Sequence, residues 1–302
     1  MEKVFLYKTD NRAQAVKQLF RKFDAASFKG KKTVVKANFN SADAFPASTH
    51  IETLEAIIKQ LKEAGTKQTI LLERSGMGVT RRVLEAMGVV ELSKQLGFDI
   101  VVLDELGEDD WVRFKPSVPI HWSRGFMVPK VLMEADRIVQ TCCLKTHRFG
   151  GHFTLSLKNS VGLVAEYVPN EDYDYMRELH SSPHQRRMIA EINLAYKPDM
   201  VVMDAIEAFV NGGPEKGKKV TPNVVLAGGD RVAIDAVGVA ILRHFGTTEE
   251  ASHGRIFEQQ QIARAAELGI GAKSSSQIEL MPLDAESRTF VEPIAKIIKD
   301  KG

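Results

Sequence analysis

The sequence of 302 residues is poor in cysteine, with only two, Cys142 and Cys143, and these are adjacent. Adjacent cysteines rarely form a disulfide, because the bond would require an unusual backbone geometry. The absence of a disulfide framework favours a reducing compartment. Two thiols also fall short of the four-thiolate set of an iron–sulfur cluster, so no such cluster is expected.

Long apolar runs and an excess of one charge sign are also absent. No stretch approaches the ~18 apolar residues of a membrane helix, and the first ten residues, MEKVFLYKTD, lack the apolar core of a secretory signal. The 41 basic and 39 acidic residues give a net charge of +2, which favours neither nucleic acid nor a membrane surface as partner. We therefore expect a cytoplasmic protein without nucleic-acid or membrane partners, whose oligomeric state the sequence leaves open.

The common cofactor and nucleophile motifs are missing as well. There is no GxxxxGK[ST] phosphate loop, no GxSxG elbow, no HExxH and no CxxC. The sequence Gly76-Met-Gly78 has no third glycine and is not a dinucleotide fingerprint. The sequence therefore identifies no cofactor.

What the sequence does contain is an alternation of short apolar runs with longer amphipathic stretches. The strand-like runs are residues 4–7, 33–36, 69–72, 99–103, 138–144, 200–203 and 223–227, and helical periodicity occurs at 49–64, 184–196 and 230–244. Thr49 and Glu52 fit a capping box for the first of these helices. The alternation predicts a layered α/β/α fold with a mostly parallel sheet, whose apolar strands are covered on both faces. Residues 105–130, rich in Trp and Pro, predict a β excursion, and the whole of 1–302 is expected to form one domain.

Polar residues follow several of these strands, where open parallel sheets bind their ligands. Lys36 and Asn38 leave the second strand together and fit an anion site, by charge and by amide hydrogen bonds. The alternative interpretation is a lysine that reaches solvent beside turn-forming asparagines.

The segment from Cys142 to Gly162 carries the strongest signal. A strand ends in Lys-Thr-His, a Gly-Gly stretch follows, and hydroxyl, lysine and asparagine side chains come next. This pattern predicts binding of phosphate or carboxylate by Lys145, Thr146, Thr154, Ser156, Lys158 and Asn159. His147 and His152 are candidates for general acid and base, or they only cap or pack. A third metal ligand is not evident nearby, so no metal site is predicted.

Asp204 ends the strand-like run at 200–203 and is the third candidate for catalysis, as a group that orients a lysine or a metal. A helix cap or an internal ion pair is the alternative. The turn Gly212-Gly213-Pro214 is expected to lie over the site. Asp235, within an apolar helix, is expected to make a structural hydrogen bond, and His180 and His184 are expected at the surface.

Five segments of the chain resemble a known family, the domain-of-unknown-function 362 family, often labelled iron–sulfur-centre proteins. They are VVKANFN, STHIETLEAIIKQLKEAG, LKTHRFGGHFTLSLKNSVGLV, KPDMVVMDAIEAFVNGGPEKG and VVLAGGDRVAIDAVG. The resemblance implies an α/β fold with a site built from these segments, but no reaction. Many members carry a C-terminal ferredoxin-like module that this cysteine-free tail does not resemble. The family is also distantly similar to the amino-terminal part of nickel-dependent lactate racemases, which use lysines for an anionic cofactor and histidines for proton transfer.

The sequence thus favours an enzyme that acts by acid–base chemistry on a small anionic substrate or cofactor bearing phosphate or carboxylate. The alternative is a non-catalytic binding or carrier module for an anionic ligand. An enzyme would place a histidine within hydrogen-bond reach of the reacting atom, which a carrier does not need.

Overall fold

Strands and helices alternate along residues 1–302, all of which are described by the computed structural model. The strands are β1 (Glu2–Lys8), β2 (Lys32–Lys36), β3 (Gln68–Glu73), β4 (Asp99–Val102), β5 (Trp111–Phe114), β6 (Phe126–Pro129), β7 (Arg137–His147), β8 (His152–Thr154), β9 (Met200–Gly212), β10 (Gly217–Val220), β11 (Val224–Gly228) and β12 (Ile278–Pro282). The helices are α1 (Arg12–Phe20), α2 (Ile51–Glu63), α3 (Thr80–Ala86), α4 (Val89–Leu96), α5 (Lys130–Met133), α6 (Ser156–Asn159), α7 (Tyr175–Ser181), α8 (Gln185–Ile192), α9 (Arg231–His244), α10 (Glu249–Ser252), α11 (Gln260–Glu267) and α12 (Ala285–Lys301).

Ten of the strands form one sheet with the order β12-β1-β11-β9-β7-β2-β3-β4, to which β10 adds beside β9 and β8 beside β7. The five strands β4, β3, β2, β7 and β9 are parallel to one another. Strand β11 is antiparallel to β9 and to β1, and β12 returns parallel to β1. The prediction of a mostly parallel sheet is confirmed. The antiparallel pairings are those of β10 and β11 with β9, of β11 with β1 and of β8 with β7.

Helices cover both faces of this sheet, because its strands are apolar on both faces. One core joins α1, α2, α3 and α4 to one face through residues such as Val35, Leu71 and Val139. On the other face α9, α11 and α12 pack against β1, β9 and β11. There α7 and α8 also pack, together with the antiparallel pair β5–β6, against Val34 and Ile70. The α/β/α fold and the β excursion at 105–130 are therefore confirmed. None of the helices combines the length and the apolarity that crossing a membrane requires.

Two local features differ from the sequence-based expectations. Helix α2 is capped by His50, whose Nδ1 accepts from the Glu52 amide at 3.3 Å. The hydroxyl of Thr49 instead accepts from the Asn38 amide at 2.9 Å, so it ties the loop after β2 to the start of α2. Strand β9 extends well beyond the predicted residue 203, to Gly212, and this places Asp204 inside a strand.

Candidate functional site

A cavity of about 350 Å³ opens at the carboxyl ends of β2, β3 and β7, the edge at which parallel sheets bind ligands. This volume is in the range of small-molecule sites. Its lining is mostly polar and includes Lys36, Asn38, Glu73, Arg74, Lys145, His147, Thr154, Lys158, Asn159, Glu166 and His180. Seven of the predicted site residues meet here: Lys36, Asn38, Lys145, His147, Thr154, Lys158 and Asn159.

The floor of the cavity holds a buried ion pair between neighbouring strands. Lys36 Nζ lies 2.5 Å from Glu73 Oε1, and each side chain is only 1% exposed. Glu73 Oε2 also accepts from the Phe39 amide at 3.0 Å, and Lys36 donates to Asn159 Oδ1 at 3.3 Å. Burial lowers the pKa of Lys36, and the Glu73 carboxylate opposes that shift. The charge of Lys36 is thus compensated within the protein.

Arg74 follows Glu73 directly and is also buried. Its Nη1 donates to Glu166 Oε2 at 3.2 Å, and its Nε donates to the Val164 carbonyl at 3.0 Å. The guanidinium therefore fastens the segment after α6 to the end of β3, and Glu166 compensates its charge.

Lys145 has neutral partners only. Its Nζ donates to Asn38 Oδ1 at 2.8 Å and to the carbonyl of Ala47. Burial lowers the pKa of Lys145 from its ordinary value. These contacts hold the ammonium group in place and leave its charge unneutralised.

Lys158, on the short helix α6, makes no hydrogen bond and no ion pair with the protein, although it is half-buried. Burial and the charge of Lys145 lower its pKa to about 8. The lining as a whole contains four basic side chains and two carboxylates, and each carboxylate faces one of the cations. Two positive charges, those of Lys145 and Lys158, therefore remain uncompensated.

Two further polar atoms of the cavity lining are buried without a partner, namely His147 Nδ1 and Thr154 Oγ1. Buried polar atoms usually have a partner, so these two groups are available to a molecule that enters the cavity. Gly151 allows His147 and Lys158 to pack closely against the backbone, since a Cβ there would lie 2.8 Å from His147 Nδ1 and 3.0 Å from Lys158 Cε. Burial, followed by the charge of Lys158, lowers the pKa of His147, so its ring is neutral.

His180 lies at the mouth of the cavity on α7. Its Nδ1 is 2.7 Å from the Met176 carbonyl, and because a carbonyl can only accept, Nδ1 carries the proton. The neutral ring then keeps a lone pair on Nε2, as a general base requires. Partial desolvation, with a further contribution from Lys158, lowers the pKa of His180.

Helix α6 is held in place by Asp235 of α9. The carboxylate accepts from the Ser156 amide at 2.8 Å, from the Ser156 hydroxyl at 2.5 Å and from the Leu157 amide at 3.0 Å. Burial raises the pKa of Asp235 to about 7. Asp235 thus positions the backbone that carries Lys158.

We expect Asp235→Asn to destabilise the protein by about 1–3 kcal/mol, because the amide group cannot accept from Leu157 and leaves a buried donor unsatisfied. Urea unfolding at pH 7 measures this. Asp109→Asn is the control, since Asp109 is exposed and its change should have little effect. Equal stability of the two variants would contradict the anchoring role.

The chain matches the family model described as Domain of unknown function (DUF362) over residues 33–240. The chain belongs to this family. Among solved structures, it is similar to the lactate racemase apoprotein from Thermoanaerobacterium thermosaccharolyticum, with 16% identity and a TM-score of 0.43. That alignment covers 68% of this chain and 50% of the other, so the chain spans about half the length of that protein. A likeness this distant says nothing about activity. No curated protein matches the chain.

The cysteines of this DUF362 protein do not fit the iron–sulfur label attached to the family. Cys142 and Cys143 are consecutive residues of β7 and both are buried. Burial raises the pKa of Cys143 to about 12, which opposes the thiolate form that cluster ligation requires. The thiols therefore have the character of core residues. No group of three His, Cys, Asp or Glu side chains anywhere in the chain is arranged to hold a metal ion.

Four of the predicted site residues lie outside the cavity. Asp204 is buried toward α1 and α2, where it accepts from Arg12 at 2.9 Å and from Thr53 at 2.5 Å. It forms the internal ion pair that was the alternative interpretation, and it orients neither a lysine nor a metal. The reason is the length of β9, which continues past Asp204 instead of ending there.

Of the three other predicted residues outside the cavity, two make structural contacts and the third lines a separate recess. Thr146 donates to the carbonyls of Phe209 and Gly212 at 3.2 and 3.3 Å, which joins β7 to β9. The amide and the hydroxyl of Ser156 both donate to the Asp235 carboxylate. His152 has a left-handed backbone with φ of 63° and lines a separate recess, beside Glu249 and His253.

Glu73, Arg74, Glu166 and His180 line the cavity but were not among the predicted site residues. Glu73 and Arg74 follow the apolar run of β3, so the rule that identified Lys36 and Lys145 applies to them equally. His180 is exposed, as expected, and it also lines the cavity, which no local pattern in its helix indicates. The Gly-Gly-Pro turn does reach the cavity through Pro214. A side chain at Gly213 would place its Cβ 2.0 Å from the Thr146 carbonyl.

Proposed function

We propose that this protein is an enzyme that binds a small anionic substrate, bearing a carboxylate or a phosphate, in the cavity beside Lys158. The observation that carries the proposal is the half-buried ammonium group of Lys158, which has no partner in the protein. An ammonium group held partly out of water without a partner is costly, and a bound anion would offset that cost.

The neighbouring groups supply the rest of an anion site. The Thr154 hydroxyl lines the same cavity and has no partner in the protein, and Lys145 adds a second uncompensated charge. Charge-assisted hydrogen bonds of this kind are stronger than neutral ones. The Lys36–Glu73 pair contributes no net charge, and its role is to support the floor on which Asn159 is held.

Acid–base chemistry is supported by the two cavity histidines. His180 presents an unprotonated Nε2 at the mouth, and His147 has an orphaned Nδ1 in the wall. Both rings are neutral near pH 7, since their pKa values are lowered. We assign His180 as the general base and His147 as the group that donates to or accepts from the bound substrate, in place of His152 and Asp204.

The proposal predicts that anion affinity depends on the protonation of Lys158. Its charged form binds the anion, so affinity is present below a pKa of about 8 and is lost as the pH rises through that value, by roughly tenfold per pH unit before it levels off. Titration calorimetry with sulfate from pH 6.5 to 10 measures this, because sulfate keeps its charge throughout. Lys158→Met should lack the fall in affinity near pH 8. A wild-type profile without that fall would contradict the proposal.

A further inference from the structure

Lys158 differs from the other three cations of the cavity in what its side chain contacts. Lys36 and Arg74 face carboxylates, and Lys145 donates to two neutral oxygens. The nitrogen of Lys158 has no such contact and remains accessible from the cavity. A free, reachable amine in a protein cavity is a potential nucleophile as well as a cation.

The electrostatic surroundings favour the nucleophilic form. Burial and the charge of Lys145 lower the pKa of Lys158 to about 8, so roughly one chain in ten carries the neutral amine at pH 7. An exposed lysine reaches that fraction only at a far higher pH. Desolvation beside another cation is a known way of activating a lysine for attack on a carbonyl.

Groups that can move protons line the same cavity as this amine. His147 Nδ1 and Thr154 Oγ1 are buried without partners, and the Cβ that Gly151 lacks would touch both His147 and Lys158. The histidine ring and the lysine side chain therefore lie against the same glycine. Carbonyl addition needs a group near the amine to shuttle protons to the oxygen that departs.

We propose that Lys158 forms an imine with the carbonyl carbon of a small oxo acid, a carbonyl compound that also carries a carboxylate or a phosphate. This inference rests on the anion site proposed above, which would hold the acidic group through Lys145 and Thr154. In the step, the amine nitrogen bonds to the carbonyl carbon, the carbon–oxygen bond breaks, and both amine protons leave with the oxygen as water. No oxidant or reductant is required.

Reductive trapping tests the imine. The full-length protein is incubated with glyoxylate or pyruvate and sodium cyanoborohydride at pH 7.5, and the site of modification is found by peptide mass spectrometry. We expect up to one adduct per chain on the peptide that contains Lys158, formed at least roughly tenfold faster than on exposed lysines because of the larger neutral fraction. Trapping should accelerate as the pH rises toward about 8. Adducts spread evenly over surface lysines, or no adduct at all, would overturn the proposal.

Matched variants and a second ligand separate the possible failures. Lys158→Met should remove the adduct, whereas Lys219→Met should not, because Lys219 is exposed and pairs with Glu207. Thermal melts establish that both variants are folded. Oxalate has no reactive carbonyl, so its binding reports on the anion site alone. Oxalate binding without a trapped adduct overturns the imine and retains the anion site, and the absence of both overturns the two proposals together.

Discussion

Glu73→Ala should destabilise the protein by about 3–5 kcal/mol, the usual cost of removing one partner of a buried ion pair. The reason is that Lys36 would be left charged and nearly inaccessible to water, 1% exposed in the present structure. The amides of Phe39 and Arg74, which donate to Glu73 at 3.0 and 3.1 Å, would lose their acceptor as well. Urea unfolding at pH 7 measures the loss.

Two controls give this result its meaning. Glu55→Ala removes the partner of Lys59 in an exposed pair on α2 and should cost only about 0.5 kcal/mol or less. The double variant Lys36→Met with Glu73→Leu replaces both charges by apolar groups and should recover much of the loss. If Glu73→Ala destabilised the protein no more than Glu55→Ala, the Lys36–Glu73 pair would not be what stabilises the floor of the cavity.

Lys158→Met should instead weaken ligand binding strongly, without the loss of stability that is expected for Glu73→Ala. Removing a charge-assisted hydrogen bond costs about 1.5–3 kcal/mol, so affinity for sulfate or oxalate should fall roughly ten- to a hundredfold. The ligand-free variant should melt at the same temperature as the wild type or higher at pH 7, because it no longer confines an uncompensated charge.

Lys59→Met is the matched control for Lys158→Met, because Lys59 is an exposed lysine of α2 with a local partner. Its affinity should equal that of the wild type. A strong loss of stability in Lys158→Met, with unchanged affinity in the protein that remains folded, would show that Lys158 has a structural role instead.

The results for Glu73→Ala and Lys158→Met distinguish the two kinds of cation in this cavity. Lys36 is compensated by Glu73, so that substitutions in this pair change the stability of the protein. Lys158 is compensated by nothing in the protein, so that changes there act on the ligand. Sites that need such destabilised groups commonly trade stability for function.

The sequence predicted the part of the site that follows from strand ends. In β2 and β7 an apolar run followed by polar residues marks the end of the strand at the edge of the sheet. This pattern predicted Lys36, Asn38 and Lys145, which line the cavity. The polar run after the Gly-Gly stretch predicted Thr154, Lys158 and Asn159, which line it as well. The same rule holds for Glu73 at the end of β3, which the pattern alone could have identified.

The residues that the sequence placed wrongly have a common cause. Whether a polar residue reaches the edge of a sheet depends on where its strand stops, and hydrophobicity does not mark that point when a strand continues through polar residues. Strand β9 contains Asp204, Glu207 and Asn211, and it pairs with its neighbours both before and after an irregularity at residues 206–207. Asp204 therefore faces Arg12 on a helical face of the sheet. His180 is exposed, as predicted, and tertiary packing brings its helix α7 to the cavity.

The most direct test of the anion site is a crystal structure of the protein grown with selenate, whose anomalous signal locates the anion independently of the protein. We expect selenate in the cavity, with an oxygen about 2.7–3.1 Å from Lys158 Nζ and another within hydrogen-bond distance of Thr154 Oγ1. The two orphaned atoms of the cavity wall would then have their partner. Selenate bound only at surface lysines, with the ammonium group of Lys158 still lacking a ligand, would contradict the account.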